Sequence, residues 1–399
     1  MTAQFTSAGP GTAQQPQHWV GTWEAAAQQP RSWQTAALGE RQSYRMLVHT
    51  TIGGTVARIR FGNAFGTAPM ILSDVHAAVP VGARPVAALQ PETIVPVHFS
   101  GGNSIAVPPG GDIYSDPVPV PVPADGYLAI SFYAPRPPAE PTVHTMAMTI
   151  SYLTLPGAGD HAADIDATAF TVPTPSWYFV TGVDVTSPPT KKTVVALGDS
   201  ITDCCVTLPG TDTRWPDLLA RRMAAAGLPT SVVNAGISGN EVSRDRDGNA
   251  VQGQAATTRL TRDVLGEPNV GTVILFEGVN DVGTGVPAEE IIAAYRDIAD
   301  TLHRHHIRVL VATLTPTAGS VLYGPGYTTN APVRDTVNAW IRHQHLFDGI
   351  IDFATAATDP ADPEHWNPAL SSGDGLHPNP AGMRALADAI DLGDLLPTG

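Results

Sequence analysis

Cysteine is almost missing from this chain: two residues in 399, adjacent to each other as Cys204 and Cys205. Neighbouring cysteines bridge only through a strained ring, and no framework or metal-ligand spacing occurs. The fold is therefore expected to stand without disulfides or a structural metal, and the pair reads as two thiols in a loop. Positive charge is also scarce. Lys and Arg number 22 against 37 Asp and Glu, a net charge of −15. Such a surface repels phosphate backbones and anionic headgroups, which excludes nucleic acid and membrane surfaces as partners. No run approaches 18 apolar residues, so no transmembrane helix is expected. The start, Met1 to Gln17, lacks a basic n-region and an apolar h-region. It reads as a flexible terminus (1–17) with no signal peptide.

Apolar residues are not scarce. They make up 43% of the chain against 15% charged, which suits a folded globular protein rather than a disordered one. The length suits two or three domains. Residues 18–155 read as all-β. In Thr55–Phe61, Ala57, Ile59 and Phe61 fall on one face and Val56, Arg58 and Arg60 on the other, the period-2 pattern of a half-buried strand. Gly53-Gly54 suits a hairpin between Tyr44–Thr51 and Thr55–Gly62. Further short runs at Met70–Ala78, Ile94–Ser100, Tyr127–Tyr133 and Val143–Leu153 are separated by clusters such as Pro108-Pro109-Gly110-Gly111. This punctuation predicts a β-sandwich or jelly roll. Residues 156–190 read as an ordered connector, because Trp177-Tyr178-Phe179-Val180 is too apolar for a free linker.

From Lys191 the pattern changes. Short apolar strands at Thr193–Leu197, Ser231–Asn234, Thr272–Phe276, Arg308–Leu314 and Gly349–Phe353 alternate with helical periodicities. Helices are expected around Trp215–Met223, after Pro287, over Arg334–Leu346 and after Asn379-Pro380. Residues 191–399 thus read as an α/β domain with a parallel sheet covered on both faces.

Sheets of this kind place their sites in loops after the strand C-termini. Four segments fall there or near it: Gly198-Asp199-Ser200, Gly236-Ile237-Ser238-Gly239-Asn240, Gly278-Val279-Asn280-Asp281 and Asp374-Gly375-Leu376-His377. Their chemistry suits acyl transfer. A serine hydroxyl is a weak nucleophile and needs a base; His377 is placed to take the Ser200 proton. Asp374, three residues earlier, is placed to orient the imidazole and stabilise the imidazolium. The developing oxyanion needs preorganised donors, and the backbone N–H groups of Ser200 and Gly239 with the Asn280 amide would supply three.

These blocks carry a resemblance. "VALGDSIT", "NAGISGNEV", "EGVND" and "DGLHPN" resemble the four signature blocks of the SGNH (GDSL-type) hydrolases, over about the last 200 residues. The resemblance implies an α/β/α three-layer fold and metal-free, cofactor-free ester hydrolysis. By it Ser200 is the nucleophile, Asp374 and His377 complete the triad, and Gly239 and Asn280 line the oxyanion hole. Ile201 stands where the motif's name has leucine, a change many members tolerate. A β-domain ahead of such a block is similar to bacterial secreted-type esterases and some carbohydrate acetylesterases, the one ground for expecting secretion.

The resulting expectation is a serine esterase acting on short acyl groups, acetyl on a carbohydrate being favoured because no long apolar lid segment is seen. The rivals are a carbohydrate-binding protein with a silent α/β domain, and a lysophospholipase or thioesterase of the same superfamily. Of the remaining candidates, His303, His305 and His306 suit a solvated helix C-terminus better than a metal site. Asp199 and Asp203 flank the nucleophile and suit loop-holding hydrogen bonds. Trp177 and Tyr178 suit a core or interface better than a sugar site.

Overall fold

The computed structural model describes residues 17–82, 86–203, 206–228, 230–246 and 251–395. Cys204 and Cys205, and all but the last residue of the terminus expected to be flexible, lie outside the described residues.

The first half folds into antiparallel sheets. One runs in the order Trp19–Glu24, Val180–Thr186, Ala57–Gly62, Asp112–Tyr114. A larger sheet is centred on Gln42–Thr50, Gly126–Ala134 and Met70–Ala78. Alternation does what the sequence predicts. Leu128, Ile130 and Phe132 face one apolar cluster with Ile59, Phe61 and Val183 of the other sheet, while Ala129 faces a smaller cluster with Leu47 and Leu89.

The hairpin expected at Gly53-Gly54 does not form. Gln42–Thr50 pairs with Gly126–Ala134, and Ala57–Gly62 pairs with Val180–Thr186 and Asp112–Tyr114. The reason is apolar matching. Tyr44, Met46 and Val48 must share a core with Ala57, Ile59 and Phe61, and crossing between sheets sets the two rows face to face, where a flat hairpin would set them side by side. Segment 156–190, read above as a connector, supplies strands instead. Val180–Thr186 lies between two strands of the first sheet. Trp177, Tyr178 and Phe179 are buried in the shared core, with the Trp177 indole donating to the Leu47 carbonyl at 2.7 Å.

The second half holds a parallel sheet in the order Thr230–Gly236, Lys192–Gly198, Val270–Phe276, Arg308–Ala312, Gly349–Ile351. Both faces are covered, which explains the unbroken apolar run Val194–Leu197. Val194 and Ala196 join the cluster under helices Trp215–Ala225 and Pro380–Asp388, and Val195 and Leu197 the one under Ala288–Arg304 and Ala331–His343. The chain leaves Lys192–Gly198 for a neighbour on one side and returns to the other side, so this strand flanks the topological switch point. Among the described residues no helix is long and apolar enough to cross a membrane.

The two halves are packed together. Strand Trp19–Glu24 lies against Thr230–Gly236, the edge of the parallel sheet. A Cβ on Gly21 would meet the Glu267 carboxylate at 2.8 Å and the Val233 side chain at 3.1 Å, so only glycine permits this approach. Thr51 donates to the Val232 carbonyl at 3.0 Å. The outward row of Ala57–Gly62, expected to be the wetter one, contains Arg60, which is buried and paired with Glu267 of the α/β half.

A second charged cluster crosses the boundary at His49, 4% exposed. It bonds Asp125 at 3.0 Å and faces Asp217 at 3.7 Å and Asp212 at 3.9 Å. Burial alone would push the imidazole down, but the Asp125 bond and the other two carboxylates raise it to about 9. The ring is therefore more readily protonated folded than unfolded, where histidine titrates at about 6.5. Its stabilising effect is complete below that value and is lost as pH rises through about 9. Thermal melts across this range are expected to show a falling Tm for the natural chain and a flatter, lower profile for His49→Gln. Parallel profiles would show that this pair does not set the alkaline decline.

Candidate active site

Strand Lys192–Gly198 ends at Gly198, level with Gly236 and Phe276 on its neighbours, so the three following loops leave one edge of the sheet. In the first, the Asp199 carboxylate accepts from Ile201 N at 2.9 Å, and its carbonyl accepts from Thr202 N and Asp203 N. These bonds start the one-turn helix Ser200–Asp203, as an Asx-type side chain does when it satisfies the free N–H groups of a first turn.

Ser200 Oγ lies 2.8 Å from His377 Nε2. His377 Nδ1 lies 2.6 Å from Asp374 Oδ2. The other carboxylate oxygen, Oδ1, accepts from Leu376 N at 2.9 Å and His377 N at 2.8 Å. Asp374 thus folds its own turn and holds the imidazole with the same group. A carboxylate on Nδ1 places the proton there and leaves the Nε2 lone pair toward the serine. Partial burial pushes the Asp374 carboxyl up, but the His377 ring and the two amides outweigh it, so it stays well below the ordinary carboxylate range.

Across from this series lies a set of donors. Gly239 has φ +84°, a left-handed conformation that disfavours any side chain. Its loop is tied down by Ile237 N to Gly198 O at 2.9 Å and Ser238 N to Asp203 Oδ2 at 2.8 Å. The Asn280 amide donates to the Asn240 carbonyl at 2.9 Å, and its oxygen accepts from the Tyr323 and Tyr327 hydroxyls at 3.0 and 3.3 Å. Because a peptide carbonyl only accepts, this network fixes which end of the amide carries hydrogens. The second N–H of Asn280 has no partner among the described residues.

Ser200, Gly239, Asn280, Asp374 and His377 are therefore brought to one sheet edge, and the arrangement is equipped for attack on a carbonyl. Residues without a local sequence signal support it. Arg259, fully buried, donates to Ala235 O at 2.7 Å, Gly198 O at 3.2 Å and Asn240 Oδ1 at 3.0 Å, bracing two strand ends and the Gly239 loop together. Burial pushes the Asp199 carboxyl up to about 7 and Asp281 to about 6; Glu277 is raised further by burial and the nearby Asp199. Two cavities adjoin the site, the first polar and the second mainly apolar. One of about 440 Å³ is lined by Glu241, Arg244, Asp245, Arg246 and Thr284, whose hydroxyl bonds the Asn280 carbonyl. One of about 310 Å³ has Gly319, His365, Trp366, Gly373 and Gly375 in its wall, beside the Asp374 turn. His303 pairs with Asp348 at 2.9 Å.

Residues 196–385 match the family model for the GDSL-like Lipase/Acylhydrolase family. No curated protein matches the chain. Among solved structures it is similar to a protein described as lipolytic, of the G-D-S-L family, from Desulfitobacterium hafniense DCB-2 (23% identity, covering 50% of this chain and 97% of that one, TM-score 0.38). It is also similar to the acetyl xylan esterase AlAXEase (24%, 49% and 96%, TM-score 0.38). A third is Est24, a carbohydrate acetylesterase from Sinorhizobium meliloti (17%, 50% and 95%, TM-score 0.38). Residues 196–385, just under half of the chain, thus match a GDSL-like lipase/acylhydrolase domain.

Proposed function

We propose that this protein is a serine esterase working through an acyl-enzyme. The observation that carries the reading is the hydrogen-bonded series Ser200–His377–Asp374 at the end of the strand flanking the switch point. Ser200 Oγ attacks the ester carbonyl carbon while its proton passes to His377 Nε2, and the imidazolium is stabilised by Asp374. The oxyanion is bound by the N–H groups of Ser200 and Gly239 and the Asn280 amide. Collapse breaks the ester C–O bond as His377 protonates the departing alcohol. Water, deprotonated by His377, then attacks the acyl-serine, and the carboxylic acid and free Ser200 are released.

Short acyl groups, acetyl foremost, on a carbohydrate alcohol are the favoured substrates. The cavity beside Asn280 is walled by charged and hydroxyl side chains, which suits a hydroxyl-rich leaving group better than a fatty chain. The test is a p-nitrophenyl ester series of rising chain length, with acetylated xylan and pectin, on the natural chain and Asn280→Ala. The natural chain is expected to favour acetate. The variant is expected to lose about 10²–10³-fold in kcat, the usual cost of one oxyanion donor, with little change in KM. A raised KM at unchanged kcat would make Asn280 a substrate-binding residue, and rates that climb with long chains would favour a lysophospholipase or thioesterase.

A further inference from the structure

The β region reaches into the hydrolase half at a histidine that the scheme above does not use. His144 lies on the short strand Val143–His144 and is 4% exposed. Its Nε2 is 2.9 Å from Asp203 Oδ1, and its Nδ1 is 2.9 Å from the Ala26 carbonyl oxygen. A peptide carbonyl only accepts, so Nδ1 bears a hydrogen; an ionised carboxylate only accepts, so Nε2 bears another. The other oxygen of Asp203 also accepts, from Ser238 N at 2.8 Å. A ring with both nitrogens protonated is an imidazolium, paired with a buried carboxylate. Burial pushes this ring's proton affinity down, but the charge and bond of Asp203 and the Ala26 carbonyl more than offset this and raise it above histidine's ordinary value, with Arg214 opposing. The Trp177 ring, 5.4 Å away, closes another side.

Asp203 is the last residue of the turn that Ser200 opens, and Ser238 precedes Gly239. One carboxylate therefore ties the nucleophile's helix to the loop carrying an oxyanion donor. We infer that His144 is a positioning residue: its imidazolium, contributed by the β region, holds Asp203 so that the Ser238–Gly239 peptide stays where the oxyanion forms. The inference deepens the esterase reading and rests on it. The His144–Asp203 pair is intact at neutral pH and is lost as pH rises through the titration of His144, because deprotonation removes a donor from one of two obligate acceptors. Activity then falls on the alkaline side as the donor loop loosens.

The test uses the full chain with ¹⁵N-labelled histidine. Imidazole NMR at pH 7 should show both His144 nitrogens protonated, and the midpoint of its titration should coincide with the alkaline fall in kcat. His144→Ala should lower kcat toward p-nitrophenyl acetate about ten-fold or more at similar KM, and abolish that alkaline step. His144→Gln, which keeps one donor, should recover part of the rate without restoring the step. A singly protonated ring at pH 7, or a natural chain whose alkaline fall does not track His144, would overturn the inference even where the alanine variant does not fold. So would a folded His144→Ala that keeps its kcat. Absence of hydrolysis by the natural chain on every ester would instead sink the esterase reading, while the His144 NMR result would still report on the tie.

Discussion

Ser200→Ala is expected to leave a folded protein without turnover. Loss of a triad serine removes the covalent route entirely, and what remains comes from oxyanion stabilisation and binding alone. A fall of at least about 10⁴-fold in kcat toward p-nitrophenyl acetate is the scale for such a site. The fold should survive, because the hydroxyl's contact is with His377 at 2.8 Å and the turn is held by Asp199 rather than by the serine side chain. Circular dichroism should match the natural chain and Tm should move by only a few degrees. A fluorophosphonate should label Ser200 in the natural chain and nothing in the variant. Label recovered on another serine, or a variant that still turns over, would refute the assignment.

A chain beginning at Thr190 is expected to be worse than inactive; it should aggregate. Thr230–Gly236 is the edge of the parallel sheet. In the whole protein that edge is covered by Trp19–Glu24, and its Val232 carbonyl is taken by Thr51. Uncovered, its outer edge stands open with an apolar flank, a ready template for pairing with other chains. The truncation also removes His144, and with it the group holding Asp203 beside the Gly239 loop. Size-exclusion chromatography with p-nitrophenyl acetate turnover decides the matter: a monomeric, fully active chain from Thr190 would show that the β region is a dispensable module.

The candidate site was largely legible because its parts are local. Each motif follows a short apolar strand or precedes a helix, and Asp374 reaches His377 within one turn. Alternation likewise marked Leu128, Ile130 and Phe132 as one buried row. What escaped depends on distant partners. Arg259 lies 61 residues from the strand end it braces, His144 59 from Asp203, and Tyr323 43 from Asn280. Each is an ordinary residue in an ordinary stretch, with no periodicity or spacing to distinguish it. Arg60 misled in the same manner: an arginine on the outer row of a strand reads as solvated until a second domain is laid over it. The glycine pair at 53–54 shows a different limit. Such a pair announces a reversal of direction, but whether the reversal stays within a sheet or crosses to the facing one is decided by the core.

The placement of Val180–Thr186 has a consequence for synthesis. Trp19–Glu24 is an edge strand whose pairing partner is Val180–Thr186. Trp19–Glu24 therefore leaves the ribosome ahead of its partner and waits for a strand more than 150 residues downstream, on the order of ten seconds or more at ordinary elongation rates. During that interval Val20 and Trp23, both buried in the finished protein, have no finished sheet to enter. Nascent chains released before residue 186 emerges should be the ones that chaperone holdases retain, and those released just after it should resist protease over the β region before any of the parallel sheet exists.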